Sequence, residues 1–185
     1  MTIEQLHLFN CLYLVLLSVV AILTRATSRR IGGAVAGSAA GGLVAVFMLA
    51  SGAIDRWWHI VMRSDPYFLV LLWIDFALCG YVFLLIWRLD RRFGWRGLAM
   101  VLLIAAVIGP VRDYQYLAMF PEWGNHARGL APALGISAAY IFLLILGYGV
   151  MRVIAGPSIA DRLARRPWEM GPPSGIQKKA SGQSA

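Results

Sequence analysis

Five apolar runs, each about as long as a bilayer is thick, leave few folds open to this chain. They cover residues 5–24, 32–54, 67–87, 97–117 and 133–154. A helix rises about 1.5 Å per residue, so about 20 residues cross the roughly 30 Å of hydrocarbon. In that solvent each backbone N–H and C=O must be satisfied within its own segment, which selects helices for runs of this length. A mean hydropathy of +0.68, with 59% hydrophobic residues in 185, is well above what a soluble domain carries. The expected architecture is all-α: an integral membrane bundle of five transmembrane helices over residues 1–155, then a tail over 156–185. The fourth run is the least regular, because Gly109, Pro110, Arg112 and Asp113 interrupt its last turns.

The formal net charge of +8 would suit nucleic acid if it were gathered on one surface, but it is not. Lys and Arg sit in the gaps between apolar runs, which reads as topology, with the bilayer and not nucleic acid as the partner. Arg25, Arg29 and Arg30 occupy the first gap, Arg88, Arg91, Arg92 and Arg96 the third, and Arg152, Arg162, Arg165, Arg166, Lys178 and Lys179 the C-terminal end. The other side holds only Arg56, Arg63, Arg112 and Arg128. This alternation predicts an N-terminus outside and a C-terminus in the cytoplasm, as in a bacterial inner (plasma) membrane. "MTIEQLHLFN" has no basic leader region and no small-residue cleavage site follows, so the first run is expected to be a retained helix.

Gly33, Gly37 and Gly41 recur every four residues and make one smooth stripe for close helix packing, either inside the chain or between two copies. Cys11 and Cys79, far apart and without CxxC spacing, read as lone buried thiols. After Gly156 and Pro157, "SIADRLARRPW" sets Ile159 and Leu163 against Asp161, Arg162, Arg165 and Arg166, a short basic amphipathic helix suited to an anionic leaflet. The remainder lacks the apolar residues to pack and is expected to be disordered.

All three histidines, His7, His59 and His126, fall on the outer side, with Glu4, Asp55, Asp65, Asp113 and Glu122. If the second helix continues into its loop, Asp55 and His59 share a face four residues apart. That spacing suits a metal ion, a carboxylate orienting an imidazole, or an ordinary solvated helix end. Trp57 and Trp58 beside them also fit the aromatic belt.

Asp75 is buried in the third run, roughly 12–14 Å from its outer end, where an ionised carboxylate costs several kcal/mol unless it is paired or protonated. Arg112 is its expected partner, with Pro110 freeing a carbonyl nearby; a proton-relay or ligand-binding role is the alternative. Asp113, Tyr114, Tyr116, Glu122 and His126 add a second polar, aromatic loop above Asp75, the make-up of a shallow pocket with a polar lid.

The run Asp55, Trp58, His59, Arg63, Asp65 and Phe68, with "EWGNH" at 122–126, resembles fragments of the C subunit of the membrane copper monooxygenases for methane and ammonia. That family completes its D-x-x-x-H pair with a further helix histidine at the position that is Leu72 in this chain. The third ligand is missing and "EWGNH" reads as loop, so the chain is not assigned to that family. No HExxH, phosphate loop or GxSxG occurs.

Three functions stay open. The leading one is a small polytopic protein whose outer pocket, with Trp57, Trp58, Arg112, Tyr114, Tyr116 and Glu122 as ligand contacts, binds a lipid-like molecule or a partner membrane protein. The second is a membrane enzyme acting on an isoprenoid-like substrate, with Asp75 as acid or base, Asp55 and His59 as a proton-transfer pair, and Asp113 as a further candidate. The third is a metal-binding subunit using Asp55, His59 and His126. No cofactor is specified by the residues.

Overall fold

A computed structural model describes residues 3–158, so the amphipathic helix and disorder expected of the tail lie outside the described residues. Helix α1 spans Ile3–Thr24, α2 Ser28–Ala50, α3 Pro66–Leu78, α4 Gly80–Phe93, α5 Trp95–Met119 and α6 Leu130–Ala155. Because α3 and α4 follow one another across a turn at Cys79, the described residues form five helical segments long and apolar enough to cross a membrane. It is a multi-pass helical membrane bundle.

The third segment is longer than the sequence suggests and is not one helix. It runs Pro66–Phe93 and breaks where the Cys79 N–H is shared between the carbonyls of Asp75 and Phe76. Its start is well marked: Asp65 Oδ1 accepts from the N–H groups of Tyr67 and Phe68, at 2.9 and 3.4 Å, and Pro66 occupies the first helical position. Gly94, at φ +63°, turns the chain from α4 into α5 in a conformation that a residue with a Cβ rarely adopts.

Helix α5 is continuous through Pro110, whereas an interruption was expected there. Proline removes the N–H that would bond the carbonyl four residues earlier, that of Ala106. Ser137 on α6 fills that place, its hydroxyl donating to the Ala106 carbonyl at 2.6 Å. The freed acceptor thus becomes a cross-link between α5 and α6.

The central helix is α2, packed against α3, α4 and α6. The stripe of Gly33, Gly37 and Gly41 is occupied from within by α6, facing Met151, Gly147 and Leu143 in turn. At Gly37 a Cβ would run into the Gly147 carbonyl, so the backbones meet there almost directly. Ser38 and Trp73 tie α2 to α3 through the carbonyls of Phe76 and Ala39, at 2.5 and 2.9 Å. Cys11 is exposed on α1, not buried as its apolar run suggested, because α1 buries only a narrow face; Cys79 is half-buried and both thiols are free.

At one end of the bundle, arginines close helix termini: Arg88 donates to the Leu23 carbonyl at 3.2 Å and Arg29 to that of Ile154 at 2.6 Å. Each satisfies a carbonyl that the last turn of α1 or α6 leaves without an intrahelical partner. Tyr148 and Ser158 both donate to Asp90 there, each at 2.5 Å.

The opposite end carries the only strands among the described residues. Strand β1, Trp58–Ile60, pairs antiparallel with β2, Gly124–His126, in the register Trp58 to His126, His59 to Asn125 and Ile60 to Gly124. A 3-10 turn over Pro121–Trp123 leads into β2, so "EWGNH" is a turn and strand. The two loops form one ribbon across the end of the bundle, above a cluster of Leu6, Leu49, Ile60, Phe68 and Leu71.

Candidate functional site

Helix α2 ends at Ala50, so Asp55 and His59 do not share a helical face. They remain neighbours, His59 Nδ1 lying 3.6 Å from Asp55 Oδ1, because turns fold residues 51–57 back on themselves. The principal partner of the Asp55 carboxylate is Arg63, through an ion pair within the loop. Side chains alternate across a strand, so Trp58 and Ile60 turn towards the bundle while His59, between them, turns away. Trp58 and Ile60 line the cavity below the ribbon; Asp55 and His59 do not.

That cavity has a volume of about 90 Å³. Its aromatic wall is built by Phe9 and Tyr13 of α1, Phe76 of α3, Tyr116 of α5, and Trp58 and Trp123 of the ribbon end. Trp123 is fixed edge-on to Phe9 and Tyr116, with ring centres 6.2 and 4.9 Å away. His126 stacks on Trp58 at 5.1 Å and directs Nδ1 at the Trp57 carbonyl, 3.2 Å away. The close ring contact belongs to a directly opposed strand pair. Gly124 is what lets β2 lie so near: a Cβ there would collide with the His59 carbonyl.

Asp75, Arg112 and Asp113 also border the cavity. Arg112 does not make the expected ion pair with Asp75. Its Nε stands 3.6 Å from Asp113 Oδ1 and its guanidinium 5.8 Å from the Tyr140 ring centre. Tyr140 on α6 donates to the same Asp113 oxygen at 2.7 Å. Asp113 is one residue from Arg112 and reaches α6, so it takes the guanidinium that the sequence assigned to Asp75.

Asp75 Oδ1 is therefore buried without a hydrogen-bond partner. The indole nitrogens of Trp58 and Trp123 and His126 Nε2 are in the same condition. All four residues border this one cavity. Buried polar atoms in native proteins nearly always find partners, so four orphans around one space mark it as more than a packing gap.

Of the residues singled out from sequence, Asp75, Arg112, Asp113, Tyr116, Trp58 and His126 converge on the cavity. Trp57 packs on Gly135, Tyr114 donates to the Ala127 carbonyl at 2.9 Å, and Glu122 is exposed. None of these three lines the space. Among the described residues no three His, Cys, Asp or Glu side chains come together as metal ligands, and Asp55 and His59 stand apart from His126 across the ribbon. Sequence reasoning missed Tyr13, Phe9, Trp123 and Tyr140; Tyr13 and Tyr140, phenols well inside apolar runs, carried the same signal that singled out Asp75.

Comparison with known protein families, with curated proteins and with solved structures finds no match to this chain.

Proposed function

We propose that the protein binds a small membrane-soluble, lipid-like molecule in the cavity beneath the ribbon. The observation that supports this is Asp75: a carboxylate within a membrane segment that faces an aromatic-lined cavity and has no protein partner on Oδ1. Leaving such a group unsatisfied in hydrocarbon is costly, and intramembrane carboxylates are found where they serve a ligand or an ion. An apolar enclosure with a few convergent polar groups is the usual make-up of a small-molecule site. A partner membrane protein would instead be met by groups on the lipid-facing surface, whereas the polar groups here turn inward.

The distribution of arginines supports an orientation with the ribbon outside and the arginine-capped helix ends in the cytoplasm, in a bacterial inner membrane. The pocket then opens at the outer leaflet end.

Extraction and mass spectrometry of the purified full-length protein test the reading. The wild type releases an amphipathic molecule in near-stoichiometric amount, and Leu72→Trp, which fills the cavity from α3, does not. Equal lipid content in both, with no enriched species, overturns the proposal.

A further inference from the structure

The pocket reading leaves the chemistry of the ligand's head open, and the four orphaned atoms narrow it. Resting on that reading, we propose that the site selects a hydroquinone-type head: one aromatic ring with a hydroxyl at each end, its tail left in the bilayer.

The size of the space limits the head. About 10–15 Å³ of such volume accommodates one water-sized group, so about 90 Å³ takes on the order of six to nine heavy atoms. A single ring with two oxygens falls in that range, and a lipid headgroup with its glycerol or a fused ring system does not.

The orphans stand at two levels. Trp58, Trp123 and His126 belong to the ribbon and its leading turn, whereas Asp75 lies nine residues into the third segment, about 13 Å along the helix from Pro66. Between them the walls are aromatic. The fitting molecule is polar at both ends and flat and apolar between, which a fatty alcohol or an isoprenol, polar at one end only, is not.

The hydrogen-bond roles then decide between the oxidation states of such a ring. An indole nitrogen only donates, and a carboxylate oxygen accepts. With His126 Nδ1 directed at the Trp57 carbonyl, that nitrogen carries a proton, and in the neutral ring Nε2 is an acceptor. The ribbon end therefore offers two donors and an acceptor, a set that one hydroxyl answers, because it accepts twice and donates once. At the floor a second hydroxyl answers Asp75 in either state, donating to a carboxylate or accepting from a carboxylic acid. A quinone, which only accepts, would leave His126 Nε2 unsatisfied, and an O-methylated ring has no donor at either end.

The test uses the full-length chain in phosphatidylcholine nanodiscs under anaerobic conditions. Three probes are compared by retention through gel filtration: a short-tailed alkyl hydroquinone, the matching quinone, and the bis-O-methyl ether. The hydroquinone is expected to bind about 10-fold or more tightly than either of the others, since a site built for a hydroxyl rejects analogues without it. Asp75→Asn keeps a carbonyl acceptor and adds an amide donor at the floor, so the quinone gains and the preference narrows. Equal binding of all three probes, unchanged in Asp75→Asn, overturns the head assignment while leaving a lipid pocket standing. Retention of none of them above empty nanodiscs overturns the assignment and the pocket together.

Discussion

The Tyr140 hydroxyl donates to Asp113 Oδ1 at 2.7 Å, a bond that ties α6 to α5, whose Arg112, Asp113, Tyr116 and Leu117 border the cavity. Asp113 is almost fully buried, so its carboxylate depends on Tyr140 and on Arg112, 3.6 Å away, for compensation. The arrangement holds Arg112 at the cavity without a direct ion pair to Asp75. The ion pair therefore serves the scaffold, and the unpaired acid is left to the pocket.

Tyr140→Phe should destabilise the bundle by about 1–3 kcal/mol, because it strands a buried carboxylate oxygen. In an Asp113→Asn background the same change should cost less, since an amide tolerates the loss better than a charge. Thermal unfolding of the four proteins in micelles checks this. Equal costs of Tyr140→Phe in both backgrounds would show that the two side chains do not act together.

At the centre of the bundle, the contact between Gly37 and Gly147 has no room for a side chain. Gly37→Leu should lower stability by about 1–3 kcal/mol by forcing α2 and α6 apart. Gly149 on the same helix as Gly147 has open space around its Cα. Gly149→Ala should be neutral or stabilising by up to about 1 kcal/mol. If the two substitutions have similar effects in micelle unfolding, the stripe is not a packing seam.

Much of this scaffold was legible in advance, and the reasons are physical. Apolar length sets the number of crossings, the spacing of Gly33, Gly37 and Gly41 marks a close helix contact, and Pro110 implies a freed carbonyl. The choice of partner was not legible: nothing local to Gly37 names Gly147, and nothing local to Arg112 prefers Asp113 over Asp75. The ribbon was hidden for a different reason. Trp58–Ile60 and Gly124–His126 are three residues each, too short for an alternation to register, and they pair across 64 or more residues of chain. Reading residues 51–60 as a helical extension placed His59 with Asp55 on a functional face, and the strand turns His59 away.

Ser137 and Pro110 should be coupled. Ser137→Ala leaves the Ala106 carbonyl without its cross-helix donor and should cost about 0.5–1.5 kcal/mol, typical of interhelical hydrogen bonds in membranes. Pro110→Ala restores a backbone N–H for that carbonyl. In the Pro110→Ala background Ser137→Ala should then cost almost nothing. A full cost in both backgrounds, measured by unfolding in micelles, would mean that the serine acts through some other contact.

Asp75→Asn should raise the stability of the protein without ligand while weakening ligand selectivity. The substitution replaces an unpartnered ionisable group in a membrane segment with a neutral amide of the same volume. A gain of about 1–2 kcal/mol is expected by the usual trade between stability and a functional buried charge. Loss of stability in Asp75→Asn would instead identify the carboxylate as a structural group with a partner of its own.

The two histidines of the ribbon separate support from site. His126 borders the cavity with Nε2 unpaired, whereas His59 lies on the opposite side of β1, beside the Asp55 and Arg63 ion pair. His59→Gln should change hydroquinone binding by less than about twofold. His126→Gln, whose flexible amide neither stacks on Trp58 nor holds an acceptor in place, should weaken it by about 10-fold. Amide hydrogen exchange across the Trp58–Ile60 and Gly124–His126 pairing shows in both variants whether the ribbon is intact. With the ribbon intact, a larger loss in His59→Gln than in His126→Gln would move the site to the outer face of the strand and refute the assignment of the cavity.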